Sequence, residues 1–247
     1  MVQWAKHINE IKLEYNDCRL RENCTYSFTL NDDFKQPIYV YYQLNNLYQN
    51  HRRYVKSKDD GQLQGEDKSV EDLDDCEPIK TMKDLNRGFK TLDGTILDED
   101  APANPWGLIA KSFFNDTFHL YNNANKEINI NPEGIAWDTD VKDLYKRPNN
   151  ADSKQWIDVT DERFIVWMRV AGMPDFKKPW GIIHEDMPAG NYELQVENNY
   201  NVKPFKGSKA FFLSTTNAYG GKNTFLAVCY LSVGGLWLIF ALIFFVA

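Results

Sequence analysis

The sequence predicts a mainly β fold: an antiparallel, β-sandwich-like domain with helical insertions, joined to one C-terminal transmembrane helix. Three observations predict it. Apolar and polar residues alternate with period two in separate stretches, as half-buried strands require. Clusters of Pro, Gly and Asn cut the chain between those stretches into short pieces. The run from Phe225 to Ala247 contains no charged side chain.

In chain order, the first strand signal sets Cys24, Tyr26, Phe28 and Leu30 against Thr25, Ser27 and Thr29. Leu44, Leu47, Tyr48 and His51 then fall at i, i+3, i+4 and i+7, which predicts a helix over Leu44 to Val55 with Asn45, Asn46, Gln49 and Arg52 on its outer face. That helix is read as structural, with Tyr48, His51 and Tyr54 burying their rings while Arg52 and Arg53 pair with carboxylates; the alternative is that Arg52 and Arg53 are a basic pair facing a partner. Residues 57–84 are strongly acidic and read as an exposed insertion or long loop. A calcium loop would need regular ligand spacing closed by a Glu, and this stretch lacks it.

Phe164 to Met168 and Ala210 to Ser214 are continuous, β-rich apolar runs, predicted as strands buried on both faces. Between them, Pro188-Ala189-Gly190-Asn191 signals a turn into a strand that faces Tyr192, Leu194 and Val196 one way and Glu193, Gln195 and Glu197 the other. As a helix, Phe225 to Ala247 would be about 34 Å long against a hydrocarbon core of roughly 30 Å.

Composition narrows the function. The chain has 247 residues, 14% of them aromatic, and a net charge of −7. An acidic chain supplies no field for phosphate backbones, so nucleic acid is not an expected partner. The aromatic content argues for a packed core rather than disorder. Four histidines, His7, His51, His119 and His184, form no zinc-ligand spacing, and no hydrolase, kinase or dinucleotide motif is present. Gly220-Gly221-Lys222-Asn223-Thr224 lacks the upstream glycine of a phosphate loop and reads as a linker at the membrane interface. Asp138 and Asp140 read as turn residues rather than paired catalytic acids. No catalytic residue, cofactor or metal site is therefore assigned.

The segment from Met1 to Glu10 has no basic stretch leading into an apolar one, so it is not a signal peptide. Either the polar part is cytosolic or an anchor lies upstream. Two glycosylation triplets, Asn23-Cys24-Thr25 and Asn115-Asp116-Thr117, favour the upstream anchor. Cys18 and Cys24 are close enough to bridge or to remain two free thiols, and a bridge would contribute about 2 kcal/mol. Cys76 stands alone and Cys229 lies in the apolar run.

The stretch from Asn31 to Ser57, with its core Tyr48-Gln49-Asn50-His51-Arg52-Arg53-Tyr54, closely resembles the CDC50/LEM3 family. Gly107 to Thr117, Phe164 to Arg169, and Gly220 to Asn223 running into the apolar segment follow in the family's order. The resemblance implies a two-span membrane protein with a large glycosylated, disulfide-bonded ectodomain on the lumenal or extracellular side. It implies residence in the endoplasmic reticulum, Golgi, endosome or plasma membrane. It implies a non-catalytic subunit of a P4-type ATPase, a pump that flips phospholipids, with work in folding, export from the endoplasmic reticulum and activity of that pump.

On this reading residues 1–222 are the ectodomain, 223–247 the second span, and the first span is absent from this chain. Where the family has Pro-Cys-Gly, this sequence has Pro105-Trp106-Gly107, which leaves Cys76 without its implied partner and Cys18 with Cys24 as the implied pair. In the apolar run, Ala227, Gly234 and Ala241 recur every seven residues with Gly235 beside them, a candidate packing face. The rival class is a single-span adhesion molecule or receptor.

Overall fold

The computed structural model describes residues 8–72, 77–86, 88–216 and 224–246. Among the described residues, eight strands form two antiparallel sheets. The strands are β1 (Glu10–Glu14), β2 (Asn23–Leu30), β3 (Ile38–Leu44), β4 (Thr117–Asn122), β5 (Glu127–Ile128), β6 (Phe176–Ile183), β7 (Gly190–Glu197) and β8 (Lys209–Thr215). One sheet has the order β1-β8-β3-β6 and the other β2-β7-β4-β5.

Alternation fixes which face is inward. Ile38, Val40, Tyr42 and Leu44 of β3 are buried, while Tyr39, Tyr41 and Gln43 between them are only half-buried. In β2 and β7 the register sets Phe28 opposite Tyr192, with ring centroids 5.8 Å apart. The predicted strands at Cys24 to Leu30 and Tyr192 to Val196 are therefore present. The sheets meet through Phe118 of β4, whose ring lies 5.0 Å from both Phe211 of β8 and Trp180 of β6. Every residue of β8 is buried. This central strand packs inward through Phe211 and Leu213, while the ammonium groups of Lys12 and Lys177 cover Phe212 on its outer face.

Long insertions carry the helices: α1 (Arg52–Lys56), α2 (Asp60–Leu63), α3 (Met82–Leu85) and α4 (Leu108–Lys111) between β3 and β4, and α5 (Glu162–Met168) between β5 and β6. A further helix, α6 (Thr224–Val246), ends the described chain. The expected helix from Leu44 to Val55 is corrected to the single turn α1. Leu44 instead ends β3, opposite both Phe176 and Lys209. Beyond it, Asn46 adopts a left-handed conformation, and polar groups of this segment bond across to the neighbouring loop: Asn46 N to Asp175 Oδ1, Leu47 N to Pro174 O, and Asn50 Nδ2 to Gly172 O. Such bonds compete with the helical ladder. The faces invert as well, since Gln49 is fully buried and Tyr48 is 60% exposed. Arg52 and Arg53 are exposed and meet no carboxylate among the described residues.

A second correction concerns Phe164 to Met168, which is helical rather than a strand. A short apolar run does not distinguish a buried strand from a buried helix. Here Asp161 settles it by capping the Arg163 backbone N–H, and all five apolar residues are buried between α4 and β6.

The acidic segment keeps Asp60, Glu66, Asp67 and Glu71 at the surface, yet it is not simply a loop. Asp59 caps α2, and Thr81 with Asp84 forms a capping box on α3. Ile79, Met82, Leu85, Ala103 and Trp106 make a second, smaller core. Trp106 thus fills the position where a cysteine is implied by the resemblance; Cys76 lies outside the described residues. Gly107 must be glycine, because a Cβ there would sit 2.1 Å from the Ser57 carbonyl oxygen.

Candidate partner-binding and glycosylation sites

The helix α6 carries Phe, Leu, Ile, Val and Trp on every side, and its described side chains are exposed almost throughout. An uncharged helix of this length, left uncovered by its own domain, has the properties of a membrane span. Gly234 and Gly235 lie at its middle with nothing within 4 Å of where a Cβ would be, and Ala241 is exposed two turns further on. These positions are open to another helix. The side chain of Ala227 lies outside the described residues, as do His7 and Gly220 to Asn223.

Cys18 and Cys24 are joined as a disulfide, with Cα atoms 5.9 Å apart. The bridge ties the β1–β2 connection to the start of β2. That connection is also held by Asn198, whose Nδ2 donates to Cys18 O at 2.7 Å and whose carbonyl accepts from Arg21 N.

Both glycosylation triplets reach the same end of one sheet. Asn23 opens β2 and Thr117 opens β4, and both are register partners of Glu197 on the intervening β7. Two strand spacings, about 10 Å, separate them. Asn23 is exposed, and Asn115, two residues before β4, is half-buried.

Asp116, between Asn115 and Thr117, is buried and serves the fold directly. Its Oδ1 accepts from the backbone of Asn199 at 2.7 Å and Tyr200 at 2.6 Å, while Oδ2 accepts from Tyr15 Oη at 3.0 Å and Lys209 Nζ at 2.6 Å. Burial pushes the Lys209 ammonium below its ordinary pKa, with Asp116 opposing that shift, and burial pushes the Tyr15 phenol well up. Nothing in the residue pattern marked Lys209; only its place in a strand otherwise buried on both faces hinted that it needs a partner.

Asp138 and Asp140 do not face each other as paired acids. Asp140 is buried in a bidentate pair with Arg169, and Asp138 is exposed beside Lys142. Among the described residues, no three metal-ligating side chains gather.

Residues 1–247 match the LEM3 (ligand-effect modulator 3) family / CDC50 family. The chain is 34% identical to cell cycle control protein 50A of Bos taurus over 281 residues, covering 94% of this chain and 73% of that protein. It is 38% identical to ALA-interacting subunit 3 of Arabidopsis thaliana over 235 residues, 90% of this chain and 62% of that protein. With cell cycle control protein 50C of Macaca fascicularis the identity is 33% over 283 residues, 95% of this chain and 77% of the other.

Proposed function

The chain belongs to the CDC50/LEM3 family, and from that membership we propose that it is the accessory, non-catalytic subunit of a P4-type ATPase that moves phospholipids across a membrane. The observation that carries this reading is the match over the whole chain, joined to a C-terminal helix whose apolar surface its own domain leaves bare. A relative named as an interacting subunit supports work done through binding. In this reading the pump holds the nucleotide, the phosphorylated carboxylate and the lipid path. The subunit supplies a rigid sandwich on the lumenal or extracellular side and a helix that packs against the pump. It supports the pump's folding, its export from the endoplasmic reticulum and its turnover.

Co-purification tests the proposal. Tagged full-length protein, extracted in mild detergent without added ligand, should bring down a larger multi-span ATPase in stoichiometric amount. A single-span receptor or adhesion molecule would not, and recovery of the chain alone under conditions that preserve known pump complexes would reject the subunit reading.

A further inference from the structure

We propose that the cleft at the open side of the sandwich, between β6 and the β4–β5 edge, is a phosphate-binding site built around Arg163. The cleft has a volume of about 390 Å³, and its walls include Thr117 and His119 from β4, Glu127 from β5, Asn129 just beyond it, Arg163 from α5 and Trp180 from β6. The β6 bulge prepares one wall. Val40 faces Gly181 and Tyr41 faces Pro179, so Trp180 is the extra residue, turned out of the ladder. Its ring lies 3.5 Å from the Arg163 guanidinium carbon, and its carbonyl accepts from Arg163 Nε at 2.8 Å.

That stacking holds the guanidinium in place without neutralising it. Arg163 makes no ion pair and no further side-chain hydrogen bond among the described residues, so the two terminal nitrogens of its fork are unpartnered. Burial lowers its pKa, and only the charge of Asp161 opposes this.

Each nearby acid is engaged elsewhere. The Asp161 carboxylate caps α5, Glu162 accepts the backbone N–H groups of Gly134, Ile135 and Ala136, and Glu127 meets His119 Nδ1 at 2.8 Å. Thr117 Oγ1 is buried with no hydrogen-bond partner. A half-buried arginine with an unfilled fork matches an oxyanion, because two parallel N–H groups fit two oxygens. Arg163 from α5, His119 from β4 and Asn129 beyond β5 bring donor-bearing side chains to the walls from three separate segments, an arrangement better suited to a tetrahedral phosphate than to a flat carboxylate. Among the described wall residues the one acidic side chain is Glu127, which is exposed and paired with His119.

The site concerns this chain alone, so its test is separate from co-purification of a pump. Full-length protein in detergent is titrated with inorganic phosphate, and in parallel with glycerol 3-phosphate, at constant ionic strength, with binding read by calorimetry. Saturable binding is expected, weakened about tenfold or more in Arg163→Gln and tightened in Glu127→Gln. Tighter binding of glycerol 3-phosphate assigns the site to an organic phosphate monoester, such as the group that phosphatidic acid presents, and tighter binding of inorganic phosphate assigns it to the free ion. Absence of saturable binding, or equal affinity in Arg163→Gln, overturns the proposal. Should Arg163→Gln not fold, Glu127→Gln decides, since an affinity no higher than that of the unsubstituted chain also overturns it.

Discussion

Lys209 Nζ lies 2.6 Å from Asp116 Oδ2 with both side chains shut away from solvent, so the middle residue of a glycosylation triplet is also the counter-ion of a buried lysine in the central strand. Breaking such a pair costs more than the pair contributes, because one charge is left buried alone. Asp116→Asn leaves the Asn115 triplet formally intact, yet it should destabilise the domain by about 3–5 kcal/mol. Adding Lys209→Met should recover part of that loss, since no unpaired charge then remains. Chemical denaturation of the unsubstituted chain and the two variants checks both statements.

Lys178 gives the domain a predictable response to pH. Its ammonium is buried at the end of α5, donating to Trp167 O at 2.7 Å and Arg169 O at 2.8 Å, and burial lowers its pKa to about 7. The unfolded chain keeps an ordinary lysine pKa, so between the two values the unfolded state binds more protons and stability rises with pH. The penalty is full below the folded value and is relieved as pH climbs above it. At higher pH the buried tyrosines reverse the trend, because Tyr15 and Tyr42 stay protonated when folded. Denaturation midpoints at pH 7 and pH 9 should therefore differ by a margin that Lys178→Met removes.

Trp106 should hold the insertion together. It is 1% exposed and lies among Ile79, Met82 and Leu85, while its backbone N–H donates to Gln62 Oε1 at 3.0 Å. Trp106→Ala should cost about 3–5 kcal/mol locally. Hydrogen exchange should rise around α2 and α3 while β7 and β8 keep their protection; uniform loosening of both regions would place Trp106 in the main core instead.

Where sequence reading succeeded and failed follows the range of the interactions involved. β2 and β7 were legible because alternation reports one buried face and needs no knowledge of the partner strand. β8 was legible because a central strand is apolar on both sides. At Phe164 the deciding information was Asp161 as a cap, a one-residue signal beside a longer, ambiguous run. At Gln49 the helical spacing was real but was overruled by bonds to Ala171 N and Tyr54 Oη, residues whose approach only the fold reveals. The Cys18–Cys24 bridge was one open choice from spacing and became an expectation only through resemblance. The cleft around Arg163 was invisible, since its walls come from segments far apart in the chain.

Glycosylation should occur at Asn115, which precedes β4, and Asn23 is the second candidate. Asn23 is the more exposed in the folded domain, but Cys24 within its triplet is disulfide-bonded, so modification there competes with bridge formation. Endoglycosidase treatment should shift the unsubstituted chain. Asn115→Gln should lose one glycan's worth of mobility, and an unchanged shift in that variant would reject the assignment.

At α6 hydrophobic burial cannot drive association, because lipid tails are as apolar as leucine. Contact energy must come from close backbone approach, and small residues allow it. Gly234 and Ala241 are one heptad apart, so on a straight helix they drift by only about 20° and share a face, with Gly235 beside it and Ala227 one heptad before. No neighbour in the described structure occupies the space beside Gly234, so a leucine there would be tolerated by the isolated helix while blocking a partner helix. Gly234→Leu should therefore leave expression and membrane insertion unchanged and reduce recovery of the proposed ATPase in a pull-down. Leu238→Ile, which conserves volume, should be silent. If the pump is recovered equally well with Gly234→Leu, this face of the helix is not where the two proteins meet.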